Sequence, residues 1–344
     1  MIYKNFEIHN AAELIYMDDG SVSWKRLPSG VHSELETKNP DNVVLGSTGV
    51  ELRFVIKGES ATVRMSTLND DPKSFSTFHV YRGGIQGGWD DHEVHRHVTG
   101  EIQDFVIKRS SNMDHLKEIS SRLGYDWDPQ VVRIIFDRGK YRIYDVTGDV
   151  VPPTPEQCPK KTLLAYGSSI THGSNSIDAS HAWVSVLAHN LKVDARNLGL
   201  AGSCFLEPSV ADYIASEGEK GRWDLATLEL GINARRWEDE KIVSRVENML
   251  RQVAGRNKDK PIFVISPFYF CDDDFSDDGN GNRWRRHLEE IVNQFNYPNV
   301  TYINGLDVIG DMSYMSADEI HPNIYGVQRI ADVLTERIRA VIDK

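Results

Sequence analysis

Residues 163–173 read Leu-Leu-Ala-Tyr-Gly-Ser-Ser-Ile-Thr-His-Gly. The first four of these residues are a short apolar run, which predicts a buried strand. The turn that follows contains Gly167 and Ser169, and a turn at the end of a strand can expose a serine hydroxyl. Such a hydroxyl is a poor nucleophile until a base removes its proton. Asp318 and His321, about 150 residues further along, can supply that base and the carboxylate that orients it.

Outward from this stretch, strands and helices alternate to the end of the chain. The predicted strands are Thr162–Tyr166, Leu225–Leu230, Ile262–Ile265, Val300–Ile303 and a short one at Asn197–Leu198. Apolar residues at helical spacing lie between them, with faces on Trp183–Leu191, Ile242–Val253, Trp284–Phe295 and Val327–Val341. This alternation predicts an α/β fold in which helices cover both faces of a parallel sheet.

The first 150 or so residues instead alternate with a period of two. In residues 50–57 the apolar side chains face one way, while Glu51 and Arg53 face the other, and the pattern resumes after a predicted turn at Gly58-Glu59. Residues 132–136 and 141–144 flank a predicted hairpin turn at residues 137–140. These features predict an antiparallel β-sandwich, interrupted by a helix near His115–Leu123.

A proline-rich stretch, Val151-Pro152-Pro153-Thr154-Pro155, separates the two patterns. Proline cannot donate a hydrogen bond to a sheet and stiffens a linker. We therefore expect a β-sandwich domain at residues 1–155 and an α/β domain at residues 156–344.

Polar residues in the second half follow the predicted strands. Ser169 follows the first strand, Gly202 follows the second, Asn233 follows the third, and Asp318 and His321 follow the fifth. Open parallel sheets build their sites beyond the carboxyl ends of the strands. The sequence therefore predicts that these loops meet at one edge of the sheet.

Taken in order, these residues resemble the four blocks of the SGNH (GDSL-type) hydrolases: Gly167-x-Ser169, Gly202, Gly231-x-Asn233, and Asp318-x-x-His321 with the proline that follows. The resemblance covers roughly residues 160–344 and implies a three-layer, flavodoxin-like domain. It implies that Ser169 is the nucleophile, His321 the general base and Asp318 the residue that orients it. It also implies an oxyanion hole made by the backbone N–H groups of Ser169 and Gly202 and by the side-chain amide of Asn233. Ser168 stands where the family often has an aspartate.

Each of these residues also has a structural interpretation. Ser169 could cap a helix, Asp318 could cap the last helix, and His321 could be a buried structural histidine. Gly202 could belong to an ordinary turn, and Asn233 could stabilise its own loop. The order and topology of the whole set favour the catalytic interpretation.

Three further residues are candidates for substrate binding. His172 lies beside the nucleophile, where it either lines a pocket or supports the loop. Arg235 follows Asn233, although an arginine there is also typical of a solvated surface. Trp89 follows the glycine-rich residues 83–88, where it could stack on a sugar or anchor its loop.

Net charge and local motifs argue against several classes of partner, cofactor and location. The formal net charge of −12 over 344 residues disfavours nucleic acids and anionic membranes as partners. Residues 272–279 resemble a calcium loop, but Arg285 occupies the position where an EF-hand needs a glutamate. The histidines at positions 92, 95 and 97 also fit a strand, so we expect neither a metal nor an organic cofactor. The N-terminus has no signal-peptide pattern and no membrane span is evident, which predicts a cytoplasmic location.

A β-sandwich ahead of an SGNH domain resembles carbohydrate esterase family 2 and related two-domain acyltransferases. The resemblance implies a serine esterase that removes acetyl or other short acyl groups from an oligosaccharide or small molecule. An acyltransferase that uses an alcohol in place of water is the alternative, and a non-catalytic sugar-binding protein is a third. The sequence leaves the oligomeric state open.

Overall fold

The computed structural model describes residues 1–68, 76–89, 96–275 and 279–343. The chain divides into two compact units. Residues 1–29, 44–160 and 192–194 form the first, which we call the β unit. Residues 30–43, 161–191 and 195–344 form the second, the α/β unit. The inclusion of residues 30–43 in the second unit has no counterpart in the sequence analysis.

The β unit contains an antiparallel sheet. In chain order its strands are β1 (Ile2–Tyr3), β2 (Phe6–His9), β3 (Glu13–Tyr16), β4 (Val22–Lys25), β5 (Glu51–Thr67), β6 (Thr77–Arg82), β7 (Ile85–Gln86), β8 (Arg96–His97), β9 (Gln103–Lys108), β10 (Val131–Phe136) and β11 (Tyr141–Val151). Among the described residues the main strand order is β3-β4-β11-β5-β10-β6-β7. The short helices α1 (Ser29–His32) and α2 (Pro40–Val44) lie almost wholly within residues 30–43 of the α/β unit, whereas the β unit contains α3 (Met113–Leu123). Helix α3 confirms the predicted helix, and the antiparallel sheet confirms the predicted class of this half. The packing of the sheet into a two-layer sandwich stays a prediction.

Strand β5 corrects two local predictions. It runs without interruption for 17 residues, so the turn predicted at Gly58-Glu59 is wrong. Its first half pairs with β2 and β10 and its second half with β9 and β11, so a change of partners replaces the turn. Strands β10 and β11 lie on opposite sides of β5, and the hairpin predicted around residues 137–140 is therefore wrong.

Glu51 and Arg53, near the start of β5, are buried rather than exposed to water as the alternation predicted. Arg53 is 2% exposed and donates to Glu51 at 2.8 Å and to both carboxylate oxygens of Asp194 at 2.7 Å. Arg133 also donates to Glu51, and the ring of Trp127 lies against both guanidinium groups. Burial opposes the ionisation of Glu51, but the charges of Arg133 and Arg53 outweigh it and hold its pKa at about 2. This cluster of two arginines and two carboxylates is stable in the core because each charge has a partner of opposite sign.

The α/β unit contains a five-stranded sheet in the order β13-β12-β14-β15-β16. Its strands are β12 (Thr162–Gly167), β13 (Asp194–Gly199), β14 (Leu225–Glu229), β15 (Ile262–Ile265) and β16 (Val300–Ile303). Its helices are α4 (Ser169–His172), α5 (Trp183–Leu191), α6 (Pro208–Glu219), α7 (Asp239–Met249), α8 (Asn280–Phe295), α9 (Gly305–Val308) and α10 (Ile324–Ile342). Helix α5 packs on α10, while α7 packs on α6 and α8. The pairs β12–β14, β14–β15 and β15–β16 are parallel, which confirms the predicted α/β fold. No helix of the described ranges is both long and apolar enough to cross a membrane.

Residues 30–43 attach to the α/β unit through side-chain contacts. Glu36 forms ion pairs with Arg245 and, at 3.2 Å, with Lys241. The N–H of Glu36 donates to the buried carboxylate of Glu207 at 3.1 Å. The hydroxyl of Thr37 accepts from Ser203, the residue after Gly202, at 2.9 Å. We call residues 30–43 the N-terminal strap.

We expect Glu51→Gln to lower the free energy of unfolding by about 3–5 kcal/mol near neutral pH, because it leaves Arg53 and Arg133 short of a buried counter-charge. The folded pKa of Glu51 lies below its unfolded value, so its contribution is complete above pH 4.5 and is lost as the pH falls towards 2. The difference in the free energy of unfolding between wild type and variant should therefore be smaller at about pH 3 than at about pH 7, as measured from urea unfolding curves.

A matched control is Asp145→Asn, which removes an exposed pair with Lys4 and should change the stability by less than about 1 kcal/mol. A destabilisation by Glu51→Gln that is the same at both pH values would contradict this account of the buried charges.

Candidate active site

The nucleophile turn joins β12 to α4. Ser168 caps the helix by accepting from the N–H of Ile170 at 3.1 Å, and Ser169 is the first helical residue. A side chain at Gly167 would place its Cβ 2.2 Å from Thr171 Oγ1 and 2.7 Å from Glu229 Oε2. Only glycine fits there, because atoms of real side chains do not approach so closely. Tight packing therefore fixes Ser169, which is 8% exposed.

Three side chains form a hydrogen-bonded relay at this turn. Ser169 Oγ lies 2.8 Å from His321 Nε2. His321 Nδ1 lies 2.8 Å from Asp318 Oδ2 on the other side of the ring. With the carboxylate as acceptor, Nδ1 carries the proton, and Nε2 is left to accept the proton of the serine. The structure thus brings together the three residues predicted as a triad, in an arrangement that can transfer a proton away from Ser169.

The loop of Asp318 is ordered by its own backbone. Asp318 Oδ1 accepts from the N–H of Ile320 at 3.1 Å and from the N–H of His321 at 2.9 Å. Burial opposes ionisation of this carboxyl, but these N–H groups and the His321 ring hold its pKa at about 2. Helix α10 is capped by Asn323, which accepts from the second and third N–H groups after it. Asp318 therefore orients His321 and does not cap the last helix.

Asn175 is a member of this site that the sequence analysis missed. Its side-chain amide donates to Asp318 Oδ2 at 3.0 Å, the same oxygen that the His321 ring contacts. The residue has a positive φ of 63°, which asparagine tolerates better than most residues. An asparagine shortly after the nucleophile turn was the available signal, but the long-range contact cannot be read from spacing.

The predicted oxyanion-hole residues follow three neighbouring strands. Asn233 Oδ1 accepts from the N–H of Cys204 at 3.0 Å, which leaves its NH₂ group as a donor for another acceptor. Gly202 has φ +66°, and a Cβ there would meet no atom within 4 Å. Glycine is thus favoured at this position by backbone conformation and not by lack of space. Because Ser169, Gly202 and Asn233 follow β12, β13 and β14, all three stand at the carboxyl edge of the sheet; their convergence on one oxyanion stays a prediction.

The candidate substrate-binding residues have different surroundings. His172 is 5% exposed, and a Cβ at Gly199 would lie 2.2 Å from its backbone nitrogen. The backbone of His172 therefore packs closely against Gly199, which favours a role in supporting the loop. Arg235 donates to the carbonyl of Ile232 at 3.0 Å and so ties its own loop. Trp89 belongs to the β unit and is 91% exposed.

Two aspartates of the acidic segment after β15 make contacts within the α/β unit. Asp273 pairs with the buried Arg285 at 2.6 Å, and Asp274 accepts from the hydroxyl of Tyr269. Residues 276–278, and His92 and His95 of the other candidate segment, lie outside the described residues. Within the described ranges no group of three or more His, Cys, Asp or Glu side chains could hold a metal ion.

Glu229, the last residue of β14, is a second residue that the sequence analysis missed. It is 0% exposed, and its Oε2 accepts from Ser168 and Thr171 on either side of the nucleophile. Burial raises its pKa to about 7, although the hydrogen bonds from Ser168 and Thr171 oppose the shift. Glu229 stands between Leu228 and Leu230 in an apolar stretch, and strand periodicity gives no signal for a carboxylate of this kind.

The chain is similar to known proteins in sequence and in fold. Residues 165–329 match the model of the GDSL-like Lipase/Acylhydrolase family. This match confirms the resemblance seen in the sequence blocks and the prediction of a carboxylic ester hydrolase. No curated protein matches the sequence.

Solved structures resemble the chain over nearly its whole length. The salicylyl-acyltransferase SsfX3 from a tetracycline biosynthetic pathway has a TM-score of 0.77 at 17% identity, covering 98% of this chain and 96% of that one. A family two carbohydrate esterase from Cellvibrio japonicus has a TM-score of 0.67 at 13% identity, with coverages of 98% and 96%. A family two carbohydrate esterase from Clostridium thermocellum, in complex with cellohexaose, has a TM-score of 0.62 at 16% identity, with coverages of 97% and 98%. At such identities the likeness establishes a shared fold.

We expect Asn175→Ala to raise the pKa of Asp318 above its value of about 2, because the lost amide donor stabilises the ionised carboxylate. The measurement is an NMR titration of the side-chain carboxyl in protein with isotope-labelled aspartate. Asn190→Ala is the control, since that amide contacts Asp332 instead and should leave Asp318 unchanged. An identical Asp318 titration in wild type and Asn175→Ala would show that the amide does not stabilise the charge.

Proposed function

Because residues 165–329 match the GDSL-like lipases and acylhydrolases, we propose that the protein is a serine esterase. It removes short acyl groups, acetyl above all, from carbohydrates or similar small molecules. The observation that carries this proposal is the relay from Ser169 through His321 to Asp318, with 2.8 Å at both contacts.

The first half of the reaction transfers the acyl group to the enzyme. His321 Nε2 takes the proton of Ser169 as Oγ attacks the ester carbonyl carbon. Asp318 holds the ring in the required tautomer and stabilises the imidazolium that forms. The bond from the carbonyl carbon to the alcohol oxygen then breaks, and His321 returns its proton to the departing alcohol. The product of this half is an acyl-enzyme on Ser169 and a free alcohol.

The negative charge that develops on the carbonyl oxygen needs fixed donors. The N–H groups of Ser169 and Gly202 and the NH₂ group of Asn233 are proposed to supply them. Removing one such donor typically costs roughly 3–4 kcal/mol of transition-state stabilisation. The anchoring of Asn233 Oδ1 on the Cys204 N–H supports this role, because it orients the amide before substrate arrives.

Water completes the reaction by the same steps in reverse. His321 removes a proton from water, the hydroxide attacks the acyl carbon, and the proton returns to Ser169 as the carboxylic acid leaves. These steps balance without a metal ion or an organic cofactor. The family two carbohydrate esterase bound to cellohexaose supports a sugar as the alcohol half of the ester.

A second candidate is an acyltransferase, in which an alcohol takes the place of water. The likeness to the salicylyl-acyltransferase over 98% of the chain supports it. A sugar-binding protein without catalytic activity is disfavoured, since the serine, histidine and aspartate of the relay are all in contact. Under either candidate Ser169 carries the acyl group.

We expect Ser169→Ala to lower kcat for p-nitrophenyl acetate by at least about 10⁴-fold, because the members of a triad act as a unit. The far-UV circular dichroism spectrum should be unchanged. Ser180→Ala, in a short 3-10 helix of the same unit, is the control and should retain wild-type turnover. Esterase activity that survives Ser169→Ala would refute the proposed nucleophile.

Hydrolysis and acyl transfer are separated by the fate of the acyl group. In the presence of an added sugar alcohol, we expect the esterase to release acetic acid in about the same amount as p-nitrophenol. The comparison is made by quantifying acetate and acetylated sugar by mass spectrometry. Acetylated sugar as the main product at low acceptor concentration would establish the acyltransferase instead.

A further inference from the structure

We propose that Glu229 is a positioning residue for the nucleophile, and that its ionised carboxylate holds the turn on which Ser169 stands. This inference rests on the proposed function and adds to it a residue outside the triad and the oxyanion hole. Its consequence is an ionisation outside the triad on which the activity depends.

The contacts of Glu229 enclose the nucleophile. Its Oε2 accepts from the N–H of Ser168 at 2.8 Å, from the hydroxyl of Ser168 at 2.7 Å and from the hydroxyl of Thr171 at 3.1 Å. These donors lie one residue before and two residues after Ser169. A displacement of the carboxylate would therefore move both sides of the turn.

The hydroxyl of Ser168 passes this constraint to the helix. It donates to Glu229 and at the same time accepts from the N–H of Ile170 at 3.1 Å. The first turn of α4 is thereby connected to the end of β14 through one hydroxyl. The backbone is also close to the carboxylate, since a Cβ at Gly167 would lie 2.7 Å from Oε2.

The charged form suits these contacts and the neutral form does not. An oxygen that accepts three hydrogen bonds is typical of a carboxylate. Glu229 Oε1 is buried and has no hydrogen-bond partner among the described residues, so a proton placed there would be an unsatisfied donor. A proton placed on Oε2 would displace one of the three donors. Either protonated form therefore disturbs the turn.

Ionisation of Glu229 falls within the working range of an esterase. Burial raises its pKa to about 7, and the neutral donors of Ser168 and Thr171 only partly offset that effect. The thiol of Cys204 donates to the backbone carbonyl of Glu229 at 3.8 Å, and burial together with the nearby Glu229 charge raises the pKa of that thiol. Protonation of Glu229 near neutrality should therefore lower the activity of the site.

The main test is Glu229→Gln in the full chain, with p-nitrophenyl acetate as substrate. We expect kcat to fall by about tenfold to a hundredfold with little change in KM, because the nucleophile is displaced while the substrate contacts remain. In wild type the profile of log(kcat/KM) against pH should contain an ionisation near pH 7, the pKa of Glu229, and this ionisation should be absent from the variant.

The matched control is Glu217→Gln. Glu217 is equally buried in the same unit but pairs with Arg196, away from the nucleophile turn. This variant should lose stability and keep both the wild-type kcat and the wild-type pH profile. A Glu229→Gln enzyme that behaves in the same way would overturn the proposal, because Glu229 would then be structural only.

Thr171→Val provides a second test that does not depend on how well Glu229→Gln folds. Valine keeps the shape of threonine and removes one donor to the carboxylate, so the pKa of Glu229 should rise further. The acidic limb of log(kcat/KM) plotted against pH should then move to higher pH. A limb that stays in place would overturn the proposal.

Stability measured against pH reports on Glu229 without any assay of activity. Its folded pKa lies above the unfolded value of 4.5, so its protonated form adds stability at low pH that is lost as the pH rises through about 7. The melting temperature of wild type should therefore fall relative to Glu229→Gln across this range, and a constant difference would overturn the proposal. If wild type itself fails to hydrolyse the ester, the proposed function fails, whereas this titration still tests the ionisation of Glu229.

Discussion

The site depends on one hydrogen bond, between Ser169 Oγ and His321 Nε2, which joins residues 152 positions apart in the chain. The sheet makes this bond possible by sending both loops to its carboxyl edge. Local contacts then hold the histidine loop in place. The N–H of Ser316 donates to the carbonyl of His321 at 2.7 Å, and the N–H of Cys271 donates to the carbonyl of Glu319 at 3.0 Å. The imidazole is thus fixed by backbone contacts, and the carboxylate of Asp318 sets its rotation.

Periodicity and turn chemistry predicted the parts of the structure that arise from local sequence. Alternation of strands and helices identified the parallel sheet, and polar residues after the strands identified Ser169 and His321. The same reasoning failed at β5, because a strand that changes partners halfway has the same pattern as two strands joined by a turn. It also missed Glu229 and Asn175, whose importance comes from contacts made across the fold. Periodicity records which face a residue occupies and contains no information about its distant neighbours.

The two units bury charge in different ways. In the β unit Arg53 is surrounded by carboxylates, so the cost of desolvation is offset by opposite charges and the acid groups stay ionised. Glu229 in the α/β unit is held by two hydroxyls and one amide, which are neutral donors. Neutral donors offset less of the cost, and the raised pKa of Glu229 is the result. At neutral pH, burial therefore favours the protonated form of Glu229, whereas the hydrogen bonds of the nucleophile turn favour the ionised form.

The N-terminal strap bears on how this chain can be divided or recombined. Because residues 30–43 are part of the α/β unit, a fragment that begins after the prolines near residue 155 lacks a piece of the unit it is meant to contain. Lys241 and Arg245 would lose their shared acidic partner, and Ser203, next to Gly202, would lose its contact with Thr37. The halves of this polypeptide are consequently not interchangeable modules. Insertion or deletion within residues 30–43 would therefore change contacts inside the α/β unit, one of them at Ser203 beside Gly202.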